Sequence, residues 1–150
     1  LAGTGARAKI RTGGVTEDLI PPAEAVAEFV ANCAAADVAF KATAGLHHPV
    51  RAEYPLTYEA GCARGTMHGF LNVFMASAFI RTGAMDAEGS ERVLSETDAS
   101  AFQLGETHAS WRGKAIEIAR LASVRERFAI SFGSCSFEEP VADLRSLGMM

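Results

Sequence analysis

Apolar residues recur along this 150-residue chain with two different periods, and the switches between them mark out its elements. Residues 7–14 alternate, with Ala8 and Ile10 against Arg7, Lys9 and Arg11, and predict a strand that stops at Gly13-Gly14. Pro21-Pro22 then opens a helix that runs to about residue 36, because a proline in the first turn misses no amide donor. Within it Val26, Phe29, Val30 and Cys33 repeat at helical spacing. Residues 38–44 predict a second strand, with Val38, Phe40 and Ala42 on one side and Ala39, Lys41 and Thr43 on the other, ending at Gly45. Residues 46–65 read as one long functional loop. Residues 67–80 are apolar nearly all round and predict a buried helix. The pattern then weakens into a short helix around 90–95 and a hairpin through 102–104 and 109–111, before a charged amphipathic helix over 114–127. A third strand over 128–132 sets Phe128, Ile130 and Phe132 against Ala129, Ser131 and Gly133. It leads into Gly133-Ser134-Cys135-Ser136 and a last helix over 137–147, with Ser136 and Glu139 in capping-box spacing and Gly148 as its stop.

Strands that alternate with helices predict an α/β fold of parallel βα units. Each strand has one apolar face and one small or cationic face. A doubly wound sheet, covered on both sides, would read as almost continuously apolar. The second face suits the lumen of a (β/α) barrel near its catalytic end. Three strands cannot close a barrel, which typically needs ~250 residues. The expectation is therefore a single domain over 1–150 resembling the C-terminal half of a (β/α)8 barrel. The rest would come from an N-terminal half missing here, since the chain opens on Leu1 rather than Met, or from another copy in a homo-oligomer.

Composition narrows the partners. With 49% hydrophobic and 21% charged residues, wholesale disorder is excluded. Fourteen Lys and Arg against 18 Asp and Glu give a net charge of −4, so nucleic acid is not an expected partner. The longest apolar run, 70–80, is interrupted by Asn72 and Ser77 and is too short to span a bilayer; no signal peptide opens the chain, and no membrane partner is expected. Cys33, Cys62 and Cys135 form neither a disulfide framework nor a CxxC pair, which suits a reducing cytoplasm. No cofactor is expected.

Candidate chemistry gathers at the strand ends. Lys9 and Lys41 each stand four residues before the glycine that ends their strand. If the two strands pair in register, their backbones lie about 4.8 Å apart and both ammonium groups enter one lumen. A desolvated lysine beside a second one becomes a nucleophile able to form a Schiff base with a carbonyl compound. The alternative is that the pair, with Arg11 and Thr43, binds an anion. Gly133, Ser134, Cys135 and Ser136 precede a helix, whose free amides and dipole suit a phosphate or carboxylate; equally, they form an ordinary turn capped by Ser136. Cys135 reads as a small buried residue before it reads as a nucleophile. His47-His48 follow the second strand, and His68 and Asn72 sit at i and i+4 on the expected helix. His48 and His68 are the acid–base candidates, with His47 and Asn72 as ligand contacts, and His47 or His48, together with His68, is expected to point toward Lys41. No HxH or HExxH spacing occurs and no carboxylate lies nearby before Glu53, so no metal is assigned. His108 reads as surface, and Phe70, Leu71, Phe74 and Phe79 as core.

These readings point to an enzyme acting on a small anionic carbonyl compound or phosphorylated metabolite, with Schiff-base lyase chemistry through Lys41. The alternatives are a non-catalytic anion-binding or assembly domain and a histidine metal-dependent hydrolase. Through Lys9-Ile10-Arg11-Thr12-Gly13-Gly14, residues 41–49, 67–74 and 131–140, the chain resembles an uncharacterised bacterial family whose members are about twice as long. That resemblance implies the C-terminal part of a longer protein and no activity. The chain is also similar, at the level of fold, to class I aldolases of the deoxyribose-phosphate type. Their Lys-x-x-Thr-Gly strand would correspond to Lys41 to Gly45 and their second lysine strand to Lys9 to Gly13. The two strands come in the opposite order here, and Ala44 stands where that family has threonine.

Overall fold

In a computed structural model, which describes residues 3–150, the alternation at the start of the chain becomes strand β1 (Ala8–Arg11). Pro22 stands immediately before helix α1 (Ala23–Ala35), which buries Val26, Ala27, Val30 and Cys33 along the predicted stripe. The helix stops because Asp37 enters the left-handed region (φ 51°), and the amides of Asp37 and Val38 turn back to the carbonyls of Ala34 and Cys33. That reversal feeds β2 (Phe40–Thr43), which pairs in parallel with β1 and sets Lys9 opposite Lys41.

Residues 46–65 are not one loop. They contain β3 (Ala52–Pro55), which pairs antiparallel with β4 (Arg64–Met67). The hairpin escapes a pattern search because its strands are four residues each and carry Pro55 and Gly65. Met67 ends β4, so helix α2 begins later than expected, over Phe70–Arg81, and is buried nearly all round. Helix α3 (Ala87–Leu94) follows, capped by the Asp86 carboxylate. β5 (Phe102–Leu104) and β6 (His108–Trp111) form the predicted hairpin. The expected helix over 114–127 is split: Lys114–Glu117 is strand β7, and only Ile118–Arg127 is helix α4. The cause is a two-residue turn in which Arg112 and Gly113 both have positive φ (45° and 79°), as a tight hairpin requires. Strand β8 (Ala129–Phe132) and helix α5 (Glu138–Ser146) complete the chain.

The result is a mixed α/β fold. Its parallel sheet has the order β1-β2-β8, and the other two sheets are antiparallel. No closed barrel forms among the described residues. Helices α1, α2 and α4 pack against the sheet. Phe40 is fully buried, edge-on to Phe29 at 5.4 Å and to Phe128 at 5.2 Å. Phe132 packs on Phe70 and Phe74 of α2. A bulge in β8 corrects the predicted sidedness: Phe40 pairs with Ala129 but Lys41 with Ser131, so Ile130 is the extra residue. Ala129 therefore joins Phe132 in the core, while Ser131 falls beside Lys41. No helix among the described residues is long and apolar enough to cross a membrane.

Two glycines join the ends of β1 and β2. A Cβ on Gly45 would lie 2.7 Å from the Gly13 Cα, and one on Gly13 would lie 2.8 Å from the Gly45 Cα. Gly45 also has φ 76°, whereas Gly61 has φ 75° with open space around it. Gly61→Ala should therefore cost only the left-handed backbone, about 1–2 kcal/mol. Gly45→Ala adds an overpacking cost and should lose about 2–5 kcal/mol in urea unfolding at unchanged m. Equal losses at the two positions would show that backbone contact is not what demands glycine at 45.

Candidate functional site

Beyond the C-terminal ends of the three parallel strands lies a cavity of about 740 Å³. Gly14 and Val15 border it after β1, Ala44, Gly45, His47 and His48 after β2, and Gly133, Ser134 and Cys135 after β8. The β3–β4 hairpin supplies another wall with Leu56, Tyr58 and Met67, and α5 contributes Glu139. Ligands of open α/β sheets bind at this end of the strands, where connecting loops diverge.

Most polar atoms at the cavity have specific partners. His48 lies flat against the Tyr54 ring, with centroids 3.5 Å apart, and its Nδ1 is 2.6 Å from Asp143 Oδ2. With the carboxylate ionised, Nδ1 carries the proton and donates it, which leaves Nε2 of the neutral ring as the acceptor. His47 Nδ1 is 3.1 Å from Ser134 Oγ and 3.7 Å from Glu139 Oε2. The Ser134 hydroxyl already donates to the Ser136 carbonyl at 2.7 Å, so His47 Nδ1 is the donor to Ser134 and its Nε2 is again free to accept. Burial holds the His47 ring below the ordinary imidazole range; Glu139 opposes this and His48 adds to it. Glu139 also accepts a 2.8 Å hydrogen bond from Tyr58, which pushes the phenol above its usual range.

Cys135 was expected to be buried; it is exposed, with Sγ 3.6 Å from both His47 ring nitrogens and 3.8 Å from the Tyr58 hydroxyl. Ser134 and Ser136, on either side of it, hold the turn itself. Ser136 Oγ accepts from the amides of Glu138 and Glu139, at 3.2 and 3.1 Å. The free amides that a phosphate at this helix would need are thus occupied, and Glu138 and Glu139 place negative charge in the first turn.

The other predicted residues lie elsewhere. Lys9 and Lys41 are in register as expected, but they stand on an exposed sheet face, do not line the cavity, and have no hydrogen-bond or ion-pair partner among the described residues. The enclosed lumen expected around them is absent from the described residues, because no element packs on that face. Arg11 is exposed and reaches the Gly13 carbonyl at 3.5 Å. Thr43 donates to the Ile10 carbonyl at 3.0 Å and ties β2 to β1. His68 precedes α2 rather than sharing its face with Asn72, and both are fully buried away from the cavity. His68 Nε2 donates to the Pro21 carbonyl at 2.8 Å, while Nδ1 accepts from Arg51 at 3.3 Å. Asn72 accepts from the Arg51 amide and donates to the carbonyls of Val93 and Glu96, locking α2 to the end of α3. Both are structural polar groups of the core, satisfied as burial demands.

Sequence reasoning missed Tyr54, Tyr58 and Asp143. A signal for the last existed: Glu139 and Asp143 are four apart, hence on one face of α5. Among the described residues no group of three His, Cys, Asp or Glu side chains has the geometry to hold a metal ion, which leaves the metal-hydrolase alternative without a ligand set. No family model, no curated protein and no solved structure matches the chain.

Burial is the largest cause that lowers the affinity of His68 for a proton, followed by an opposing rise from the Pro21 bond and a lowering from Arg51. A histidine held neutral by the fold is protonated first in the unfolded chain, near the ordinary value of 6.5. The stability it contributes is full above that pH and is lost as pH falls through and below it. Urea midpoints should therefore drop between pH 7 and pH 5, and drop less in His68→Gln. An identical pH dependence in the variant would remove His68 as the sensor.

Proposed function

We propose that the cavity binds a small anionic carbonyl compound and that the protein is an enzyme working on it by proton transfer, with His48 as the acid–base group. One observation carries this reading: His47, His48, Ser134, Cys135 and Glu139, drawn from the ends of two parallel strands and from α5, converge on one cavity. Asp143 gives His48 the arrangement a general base needs, with one ring nitrogen anchored and the other free. The apolar walls, Val15, Leu56 and Met67, suit a short carbon chain and lower the local dielectric around a reacting polar group. The cations of the neighbouring sheet face, Lys9, Arg11 and Lys41, favour an anionic compound by long-range attraction. On this reading the open face corresponds to the lumen side of a barrel-like sheet, completed by a second copy of the chain or by further strands. The three free thiols fit a reducing compartment, the cytoplasm.

Ring NMR of labelled histidines tests the reading. Glyoxylate, pyruvate, succinic semialdehyde, glyceraldehyde 3-phosphate and inorganic phosphate are titrated to millimolar concentration. At least one carbonyl compound should shift His47 and His48 and leave the exposed His108 unmoved. His48→Gln should then lower turnover of that compound by about 10²-fold, a general base's usual share, and Asp143→Asn should lower it in the same direction. Histidine signals that ignore all five compounds would refute the reading.

A second reading, a Schiff base at Lys41, is favoured by the in-register pairing of Lys9 and Lys41. Borohydride reduction in the presence of the same carbonyl compounds should then leave a mass adduct on Lys41 that is absent from the exposed control Lys114. Equal labelling of the two would dismiss it.

A further inference from the structure

Cys135 differs from the other two thiols in its surroundings. Cys33 is on the buried face of α1, and its thiol is raised above the usual range by that burial. Cys62 is half-buried, and its thiol donates to the Thr57 carbonyl at 3.1 Å. Cys135 is exposed, lines the cavity, and stands beside a histidine that can take its proton. Two features make that neighbour a base rather than a packing contact. Ser134 fixes the His47 proton on Nδ1, so Nε2 is the unprotonated nitrogen, and it is 3.6 Å from the sulfur. Partial burial keeps the ring neutral near pH 7. The Tyr58 hydroxyl, which donates to Glu139, is a second polar neighbour of the sulfur at 3.8 Å. A thiol in contact with an imidazole, at the wall of a cavity large enough for a small molecule, has the parts of a nucleophilic site.

We propose that Cys135 is a nucleophile for aldehydes, with His47 as its general base. This deepens the reading of the cavity as a carbonyl site and rests on it. The step is an addition, so nothing is oxidised or reduced. The Cys135 S–H proton passes to His47 Nε2 as the sulfur electron pair forms a C–S bond with the aldehyde carbon. The C=O π pair moves to oxygen, and the proton on His47 is delivered to that oxygen. The product is a hemithioacetal, which holds the substrate carbon beside His48 and is released by the reverse step.

The test uses succinic semialdehyde labelled with ¹³C at the aldehyde carbon, an anion with a short apolar chain. It is added to the full chain and to the variants Cys135→Ser, Cys62→Ser and His47→Gln, with histidine ring signals followed in the same samples. A hemithioacetal carbon signal is expected in the unaltered protein and in Cys62→Ser, and none in Cys135→Ser. In His47→Gln the signal should build up at least ~10-fold more slowly at pH 7 and reach a similar final intensity, since a general base changes rate and not equilibrium. Because Cys135 is exposed, its serine variant keeps the fold, and circular dichroism verifies the same for His47→Gln. A signal that survives Cys135→Ser, or that forms equally fast in His47→Gln, overturns the proposal. Ring shifts at His47 and His48 without any hemithioacetal also overturn it, and leave the carbonyl-binding reading standing. Silence of both kinds of signal overturns the two together.

Discussion

The placement of everything at the cavity follows from the contact between Gly13 and Gly45, where two backbones touch with no room for a side chain on either. It explains why each of the first two strands carries a lysine four residues before a glycine. Strands in register that must meet at their ends repeat the same spacing to do so. Thr12 strengthens the junction by donating its amide to the Thr43 carbonyl at 2.9 Å and its hydroxyl to the Ala44 carbonyl at 2.7 Å. Ala44 takes φ 63° there, a conformation that costs an alanine about 1–2 kcal/mol and that the surrounding hydrogen bonds must offset. The left-handed pair Ala44-Gly45 turns the chain sharply off the end of β2. His47 and His48 are the first long polar side chains after that turn, so the turn aims them at the space beyond the sheet.

Three of the four histidines are close in sequence, yet their surroundings assign them different work. His68 follows a strand and precedes a helix, at a point where Gly69 leaves no space for a Cβ against Asn72 and Pro49. The chain is pressed into the core there, and the imidazole survives because a carbonyl accepts from one nitrogen and a guanidinium donates to the other. Glu96 is treated in the same way: its buried carboxylate takes Trp111, Nε and Nη2 of Arg112 and two backbone amides, and so fastens the antiparallel sheet to the end of α3. His47 and His48 each have one nitrogen engaged and one free for chemistry. A histidine with both nitrogens committed is a brace; on the proposed reading, the uncommitted nitrogens of His47 and His48 are what the cavity's chemistry uses.

Helices α1 and α2 were legible in the sequence from their apolar positions, and the parallel strands from an alternation that stops at glycine. β3, β4 and β7 were not. Pro55 and Gly65 interrupt β3 and β4, and β7 exists because of the positive φ of Arg112 and Gly113 rather than any β propensity in Lys-Ala-Ile-Glu. The bulge in β8 reversed the sidedness of Ala129, and such a one-residue slip leaves no trace in an alternating pattern. At the site, residues beside a strand end were readable because glycines announce where strands stop. Tyr54 and Asp143 were not, since they reach His48 from a hairpin and a helix whose placement only the tertiary fold decides.

The charges around the cavity are arranged so that the acidic residues are largely spent. Asp143 is held by His48, and Glu139 by Tyr58 and His47. Among the described residues, Glu59, exposed in the β3–β4 turn, is the lining carboxylate without a side-chain partner. Lys9 and Lys41 have no such partners among the described residues, although the chain as a whole carries a charge of −4. These two ammonium groups stand in register on the sheet whose ends form the cavity. On the proposed reading, that exposed face favours anions over cations at low salt. On the proposed reading, selection by charge belongs to the sheet face and chemistry by imidazole and thiol to the strand ends, on opposite sides of one glycine junction.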